Sequence, residues 1–250
     1  MTIKKTRVAV LISGRGSNMA ALIAAAKEPS YPAEIVLVLT NRPQAAGLLH
    51  AQAAGIATEI IDHARYGRER ECFERDMQQV LEQHRIELLC LAGFMRLLTP
   101  WFVRRWEGRM LNIHPALLPA FKGLDTHQRA LDAGVRIHGA SVHFVVAEMD
   151  SGPIVAQGAL AVRDDDSADT LAARVIEIEH RIYPMALALL AAGRVRVAGA
   201  RCIIEGEAAV RDCLIVPVPE DRYQRTDVRG QRTKSKGCPG ISGRRTSGGR

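Results

Sequence analysis

The sequence contains no long hydrophobic run, although 47% of its 250 residues are hydrophobic. The stretch that comes nearest to one is MALALLAA, residues 185–192, whereas a helix that spans a bilayer needs about 20 apolar residues. The basic N-terminus leads into an apolar stretch only about half as long as the ~7–15-residue core of a signal peptide, and glycines follow it. We therefore expect no membrane span, and we expect this first apolar stretch to be a strand.

Paired cysteines and metal-binding motifs are also missing. The number of cysteines is odd, they form no C-x-x-C pair, and they are widely spaced, at Cys72, Cys90, Cys202, Cys213 and Cys238. No H-E-x-x-H or comparable pair of histidines is present. This usage argues against a disulfide framework and a zinc site, and it predicts a protein of the reducing cytoplasm that needs no metal.

The positive charge of the chain is concentrated near its end. The net charge is +7, and residues 217–250 contain nine Lys or Arg against three Asp or Glu, a net +6 that leaves +1 for residues 1–216. Because the last residues are rich in Gly, Ser and Thr, they cannot bury enough apolar surface to offset the entropy of ordering them. We expect one folded domain at 1–216 and a disordered basic tail at 217–250, which would be the only part suited to nucleic acid.

The first half of the sequence alternates strand and helix patterns. Unbroken apolar runs typical of strands buried on both faces occur at 8–12, 35–39 and 88–92, with a weaker strand pattern at 58–61. Helical patterns lie between them at about 17–27, 44–54 and 67–84. This alternation predicts the α/β class, with an open, mostly parallel, twisted sheet of the Rossmann-like kind and helices on both faces.

The second half predicts an antiparallel hairpin and the longest helix. Residues 138–146 and 153–162 have strand patterns, and the turn signal DSGP joins them, so we expect them to pair. A short helix is expected before them at about 126–133. After them, residues 166–193 repeat apolar positions at three and four spacing, with a cap in front and Gly193 behind.

A glycine-rich turn follows the first strand. It reads SGRGSN, Ser13 to Asn18, and opens a strongly helical stretch. Backbone N–H groups at the start of a helix form an anion site, and glycines let a phosphate approach closely. The P-loop motif is missing, and Met19 stands where a dinucleotide fingerprint needs its third glycine, so a single phosphate fits better than a pyrophosphate. The alternative is that Ser17 or Asn18 merely caps the helix while the glycines make a tight turn.

Two polar side chains lie at the end of a further strand pattern, in MLNIHPALLPAF at 110–121. Residues i and i+2 of a strand point to one face, so Asn112 and His114 should emerge together, in the crevice that also receives the glycine turn. An amide can donate to an oxygen that becomes negative, and an imidazole can move a proton near neutral pH. The pair suits a tetrahedral intermediate at a carbonyl carbon, although a lone Asn-x-His is more often polar filling at a sheet edge.

An imidazole that acts as an acid needs a carboxylate to hold its charge. The stretch EMDSGPI offers Asp150 on a turn after a strand, with Glu148 as the lesser candidate, but an Asp before Ser-Gly-Pro is also an ordinary turn former. No G-x-S-x-G elbow appears and no cysteine lies close in sequence. The attacking nucleophile would therefore belong to a substrate.

Six motifs between about Arg7 and Ala192 occur in the order LISGRGSN, LAGFMRLLTP, LNIHPALLPAFKGLDTH, HGASVHFV, MDSGPIVAQ and IEHRIYP. Together they resemble the phosphoribosylglycinamide formyltransferases of purine synthesis. The resemblance implies transfer of a formyl group from 10-formyltetrahydrofolate, as co-substrate, to the primary amine of glycinamide ribonucleotide, with no metal and no covalent enzyme intermediate. Asn112 would stabilise the formyl oxygen as it turns anionic, His114 would be the protonated acid, and Asp150 would hold that charge and pass protons through a bound water.

The same resemblance implies two binding surfaces. The ribonucleotide would be bound by Gly16, Ser17, Asn18 and Glu179, and the folate by Arg70, Met95, Arg96, Leu97 and Leu98 together with Asn112. From the residues alone, FMRLL is ordinary core at a strand-to-helix turn and Glu179 lies on a solvated helix face. Arg68, two residues before Arg70, is the alternative candidate for the same folate-binding position. Asp125 stands where some relatives have a histidine.

Three other functions share part of this pattern. Formyltetrahydrofolate deformylases use the same Asn, His and Asp set to deliver formyl to water, but they carry a regulatory domain ahead of the catalytic one, and here the first strand begins by residue 7. Methionyl-tRNA formyltransferases carry a β-rich domain afterwards, which residues 217–250 are too few to supply. The third is a non-catalytic nucleotide-binding module whose basic tail contacts RNA. We expect the small-molecule transferase, with no membrane partner and no nucleic acid.

Overall fold

Seven strands form one sheet in the computed structural model, which describes residues 4–206 and Val216. They are β1 (Thr6–Ile12), β2 (Ala33–Thr40), β3 (Ala57–Ile60), β4 (Leu88–Leu91), β5 (Met110–His114), β6 (Ile137–Phe144) and β7 (Ile154–Ala161). Their order across the sheet is β3-β2-β1-β4-β5-β6-β7. The first five strands pair in parallel, and β5–β6 and β6–β7 pair antiparallel. The predicted mostly parallel sheet with an antiparallel hairpin is confirmed.

The predicted helices are present, with ends that differ from the expected ones by up to three residues. They are α1 (Ser17–Ala26), α2 (Gly47–Ala53), α3 (Arg70–Gln83), α5 (Thr126–Asp132) and α6 (Ala168–Ala191). Four elements were not predicted: a 3-10 helix at His63–Tyr66, the helix α4 (Pro100–Arg105), and two strands that pair antiparallel, β8 (Val195–Ala198) and β9 (Arg201–Ile204). Each of these segments contains at least one arginine within six residues or fewer, so none shows the unbroken apolar run that marks β1, β2 and β4.

The central strand β1 explains why its sequence is an unbroken apolar run. Val8, Val10 and Ile12 pack in one hydrophobic cluster with α1 and α6, whereas Ala9 and Leu11 pack in a second cluster with α3 and α4. All five side chains are fully buried. Because alternate residues of a strand point to opposite faces, helices must cover both faces of this sheet.

The winding of the chain reverses at β1, which has β2 on one side and β4 on the other. In open α/β sheets a ligand crevice forms at such a reversal, outside the carboxyl ends of the strands. The turn after β1 and the loop after β4 meet there, since the Ser13 N–H donates to the Gly93 carbonyl at 3.1 Å. A ligand site is therefore expected at the carboxyl ends of β1 and β4.

Three further expectations concern the domain boundary, membrane spans and the cysteines. Residues 217–250 lie outside the described residues, so the division at 216 and 217 stays a prediction. None of the helices between residues 4 and 206 is long and apolar enough to cross a membrane. The cysteines at 72, 90 and 202 have free thiols.

Candidate active site

Polar side chains from two adjacent strands converge at the carboxyl end of β5. The antiparallel register places His143 of β6 directly opposite Asn112 and places Ser141 opposite His114. His114 is 5% exposed and His143 is 2% exposed, whereas Asn112 is half-buried. The sheet thus holds one amide and two imidazoles on neighbouring positions.

The His114 ring lies between two acceptors. Its Nε2–H donates to the Phe121 carbonyl at 2.9 Å, and its Nδ1 lies 3.5 Å from Oδ2 of Asp150. The same carboxylate oxygen accepts the Gly123 N–H at 2.8 Å. An imidazole flanked by two acceptors is best satisfied when both nitrogens carry hydrogen, which is the cationic form. No water fits between Nδ1 and Oδ2, so a relay through solvent would have to use Oδ1.

Left-handed backbone conformations shape the loops around this ring. Phe121 has φ 54°, Asp125 has φ 54° and Asp150 has φ 51°. Asp tolerates this region better than most residues do, because its short side chain can bond locally, and a bulky Phe there stores strain of about 1–3 kcal/mol. Asp125 precedes α5 and is exposed, and its side chain makes no cap hydrogen bond.

The glycine turn begins α1 without a side-chain cap. Gly16 is the N-cap residue, with φ 76°, and Ser17 and Asn18 are the first residues of the helix itself. The interpretation of Ser17 or Asn18 as a cap is therefore wrong. A Cβ on Gly16 would lie 3.0 Å from the Gly47 Cα, and the Gly47 N–H donates to the Gly14 carbonyl at 3.0 Å. The turn is packed backbone to backbone against the start of α2.

Glu179 of α6 contacts this turn. It is only 7% exposed, and its Oε2 accepts a hydrogen bond from Nδ2 of Asn18 at 2.6 Å. Burial raises the pKa of Glu179, and the Asn18 bond works against that rise. The interpretation as a solvated helix face is therefore wrong. Oδ1 of Asn18 is buried and has no hydrogen-bond partner among the residues that the structure describes.

The loop after β4 presents apolar side chains to solvent. Met95 is 61% exposed and Leu97 is 60% exposed, whereas Phe94 before them is in the core. The interpretation of FMRLL as ordinary core is therefore wrong for Met95 and Leu97. The Met95 N–H donates to Oγ of Ser13 at 2.8 Å, which ties this loop to the glycine turn. Exposed apolar side chains beside a crevice can bind an apolar ligand.

Of the other residues expected on the folate side, Arg96 and Leu98 belong to this loop and Arg70 lies on α3. The Arg96 guanidinium lies 6.0 Å from the centre of the Phe73 ring, on α3, and Leu98 is half-buried. Arg70 is the first residue of α3, Arg68 precedes it by two positions, and both are exposed. The structure therefore leaves both arginines available to a ligand.

Sequence reasoning gave His143 no role, yet it contacts the predicted site. Its motif, HGASVHFV, shows only that it lies on a strand, and the partner of that strand follows from tertiary register. His127 and His138 were also left without a role; their rings meet edge to face at 5.3 Å. Burial lowers the pKa of His138 to about 4. Among the described residues no group of three or more His, Cys, Asp or Glu could hold a metal ion.

An open α/β sheet with an amide, an imidazole and a carboxylate at its carboxyl edge can support chemistry at a carbonyl group. The formyl transferase family model matches residues 6–187. The chain belongs to this family.

Three known proteins show the extent of the similarity. The chain is 52% identical over 193 residues to the trifunctional purine biosynthetic protein adenosine-3 of Gallus gallus, covering 77% of this chain but 19% of that protein, so the chain spans about a fifth of that relative's length. It is 42% identical over 190 residues to the phosphoribosylglycinamide formyltransferase of Escherichia coli (strain K12), covering 76% of this chain and 89% of that one. The structure of glycinamide ribonucleotide transformylase 1 from Symbiobacterium toebii superposes with a TM-score of 0.78 at 40% identity, covering 80% of this chain and 94% of that one.

A formyltetrahydrofolate deformylase from Pseudomonas syringae also superposes, with a TM-score of 0.75 at 23% identity, covering 81% of this chain and 67% of that one. At this identity the likeness shows a shared fold and says nothing of the reaction.

Proposed function

We propose that the protein transfers the formyl group of 10-formyltetrahydrofolate to the primary amine of glycinamide ribonucleotide, in de novo purine biosynthesis. The observation that carries the proposal is the meeting of three groups: Asn112 and His114 share one strand, and the Asp150 carboxylate lies 3.5 Å from the His114 ring. They lie at the same edge of the sheet as the glycine turn and the 95–98 loop. The name of the Escherichia coli relative, which the chain matches over 89% of its length, supports the same reaction.

The reaction needs no nucleophile from the chain. The amine nitrogen of the ribonucleotide attacks the formyl carbon, and the electrons of the C=O bond move to the oxygen. One amide N–H of Asn112 faces His143, and the second is available to donate to this oxygen anion. When the C=O bond reforms, the bond from carbon to the folate nitrogen breaks. That nitrogen gains a proton and the attacking nitrogen loses one.

His114 and Asp150 carry out these proton transfers. The Phe121 carbonyl accepts the Nε2–H of His114, and the Asp150 carboxylate, 3.5 Å from Nδ1, stabilises the cationic ring. The charge of the ring stabilises the oxygen anion, and the Nδ1–H, which has the longer of the two contacts, supplies a proton to the leaving nitrogen. Asp150 then accepts the proton that the attacking amine releases, through a water on its free oxygen, Oδ1. Asp150 has a left-handed backbone, with φ 51°, and its carboxylate lies 3.5 Å from the ring.

The glycine turn and Glu179 would bind the ribonucleotide. Backbone N–H groups at Gly16, Ser17 and Asn18 point out of the start of α1, where the helix dipole favours a phosphate. Glu179, held in place by Asn18, can accept hydrogen bonds from ribose hydroxyls. A hydroxyl donor would also satisfy the buried Asn18 Oδ1.

The loop after β4 would bind formyl-folate. Met95 and Leu97 offer exposed apolar surface, Arg96 and Leu98 lie beside them, and Arg70 offers a positive charge to an acidic end of the folate. Because the formyl group must reach Asn112, this side chain belongs to both the chemistry and the folate surface. We place the reaction in the cytoplasm, on the free thiols of the described residues. We assign it to a domain at 1–216, with the tail at 217–250 outside it.

The purified chain, incubated with 10-formyltetrahydrofolate and glycinamide ribonucleotide, should form formylated amine and tetrahydrofolate in equal amounts. A control without ribonucleotide should leave the formyl-folate intact. Steady loss of formyl groups in that control would instead indicate a deformylase. Absence of formylated amine with both substrates present would contradict the proposal.

A further inference from the structure

We propose that His143 is a positioning residue, which fixes the Asn112 amide so that an N–H, and never the carbonyl oxygen, faces the reacting formyl group. The inference rests on the proposed function, since it assigns a role within the same site. It concerns a buried imidazole that the reaction described above does not use.

The hydrogen bonds of His143 determine its tautomer. Nδ1 lies 2.9 Å from the carbonyl oxygen of Phe144, which can only accept, so Nδ1 carries the hydrogen. The ring is 2% exposed, and burial disfavours a second proton. In the neutral ring Nε2 therefore has a free lone pair.

That lone pair determines the orientation of the amide. Nε2 lies 3.1 Å from Nδ2 of Asn112, and only the nitrogen side of an amide can donate to it. A flipped amide would set two acceptors against each other in a half-buried site, at a cost of about 1–3 kcal/mol. With one N–H bonded to His143, the second N–H of the same nitrogen is turned toward the crevice.

The backbone holds this contact at a fixed distance. Asn112 and His143 are directly opposite in the antiparallel ladder of β5 and β6. The pairing of β6 with β7 is irregular between Val142 and His143, and irregularities of this kind re-aim a side chain. A Cβ on Gly152 would lie 1.8 Å from the Phe144 carbonyl oxygen. The turn that carries Asp150 therefore packs directly against the Phe144 carbonyl, which accepts the His143 Nδ1–H.

The alternative is that His143 is a second acid paired with Asp150. Its Nε2 lies 3.8 Å from Oδ1 of Asp150, which exceeds hydrogen-bond length, whereas the Asn112 contact is within it. Oδ2 of Asp150 is already occupied by the Gly123 N–H and faces His114. The distances favour the amide as the partner of His143.

The kinetic test compares His143→Ala with His143→Gln, each alone and combined with Asn112→Ala. His143→Ala should lower kcat by about 10- to 100-fold, with the KM of both substrates changed by less than about twofold. In the Asn112→Ala background it should cause no further loss, because His143 acts only through Asn112. His143→Gln offers an acceptor oxygen and should recover part of the loss. His138→Ala, a buried histidine on the same strand, is the matched control and should leave kcat near the wild-type value.

The tautomer is tested separately in the unmodified chain. Spectra of protein with 15N-labelled histidine should show an unprotonated Nε2 and a protonated Nδ1 for His143 at neutral pH. A cationic ring, the opposite tautomer, or an equal loss of kcat with and without Asn112 would overturn the inference. If the unmodified chain formed no formylated amine, the proposed function would fail, whereas the tautomer would still report on the geometry.

Discussion

The parallel and antiparallel halves of the sheet supply different kinds of groups to the proposed site. In the parallel half, β1 to β4, the groups belong to turns: the N–H groups at Gly16 to Asn18 and the loop at 95–98. In the antiparallel half, β5 to β7, they are side chains on paired strands, such as Asn112 and His143. Parallel strands gather their following loops at one edge, whereas antiparallel pairs fix opposite side chains about 4.5–5.5 Å apart. The first arrangement suits binding and the second suits chemistry.

This comparison predicts that changes in the antiparallel half lower turnover. His114→Ala or Asp150→Asn should each lower kcat by at least about 100-fold, the usual loss when a general acid or base is removed, with ribonucleotide affinity little changed. Steady-state kinetics with separate binding measurements check this. The matched control is Glu148→Gln on the same loop, whose side chain is 78% exposed and pairs with Lys122, and it should retain activity. If Asp150→Asn kept most of its turnover, the role of this half would be wrong.

Buried histidines in the antiparallel half should make the stability of the protein depend on pH. Burial lowers the pKa of His138 from 6.5 to about 4. Between these values the unfolded chain binds more protons than the folded one, so stability falls as the pH falls. From pH 7 to pH 5 the loss should be about 2 kcal/mol.

Urea unfolding of the wild type and of His138→Leu at pH 7 and pH 5 tests this effect. The variant should lose less stability between the two pH values, because leucine takes up no proton. A smaller loss should remain in both proteins, since burial also lowers the pKa of His127 and of His143. Equal losses in both proteins would refute the assignment.

Substitutions in the parallel half should weaken ribonucleotide binding more than they lower kcat. Gly16→Ala places a Cβ on a backbone with φ 76°, 3.0 Å from the Gly47 Cα. We expect a rise of about tenfold in the KM for the ribonucleotide, with kcat nearly unchanged. Gly55→Ala is the control, because Gly55 also has φ 72° but has nothing within 4 Å of a built Cβ. Gly55→Ala should lower stability and leave the KM for the ribonucleotide unchanged. A rise in KM equal to that of Gly16→Ala would contradict the prediction.

Glu179→Gln should weaken binding of the ribonucleotide and increase the stability of the fold. Burial raises the pKa of Glu179, so its ionised form opposes folding as the pH rises through that pKa. The neutral amide removes this effect, and we expect a gain of stability at pH 8 that is smaller at pH 5, with ribonucleotide affinity reduced severalfold. Thermal unfolding at both pH values and a binding titration measure the two effects. A loss of stability at pH 8 would show that the charge is compensated.

The smallest effect should come from the end of the chain. Removal of residues 217–250 should leave turnover nearly intact, because no group of the proposed chemistry lies there. If the tail instead binds RNA, the full chain should bind it with an affinity that falls steeply as salt rises, and the truncated chain should not. Parallel assays of turnover and RNA binding on both chains decide between the two.

Local sequence was enough for the long elements of the fold and for most candidate side chains. The unbroken run at 8–12 and the repeat in 166–193 are signals strong enough to identify a strand and a helix. Asn112 and His114 could be predicted to share a face because strand alternation is a local property. The helix α4 and the strands β8 and β9 could not be predicted, since arginines stand among their apolar residues and no unbroken run like that of the equally short β4 marks them.

Contacts between distant residues do not follow from local patterns; the family resemblance, and not periodicity, implied that Glu179 and Asn18 bind the same ligand. Glu179 has the sequence context of an exposed helix position, and it is buried because α6 packs against α1 and brings it to Asn18, 161 residues away. His143 has the context of an ordinary strand residue, and it faces Asn112 only because β6 pairs antiparallel with β5 in one register. A shift of that register by one residue would turn it to the other face.

The sequence by itself determined which residue types were available for chemistry and which stretches became strands, turns and helices, because these depend on neighbours within a few positions. The tertiary structure decided which of those side chains meet: the carboxylate with the first imidazole, the second imidazole with the amide, and the buried glutamate with the glycine turn. The physical reason is that strand order and register are set by burying the apolar faces of the whole sheet, and the polar groups at its edge take the positions that this packing leaves them.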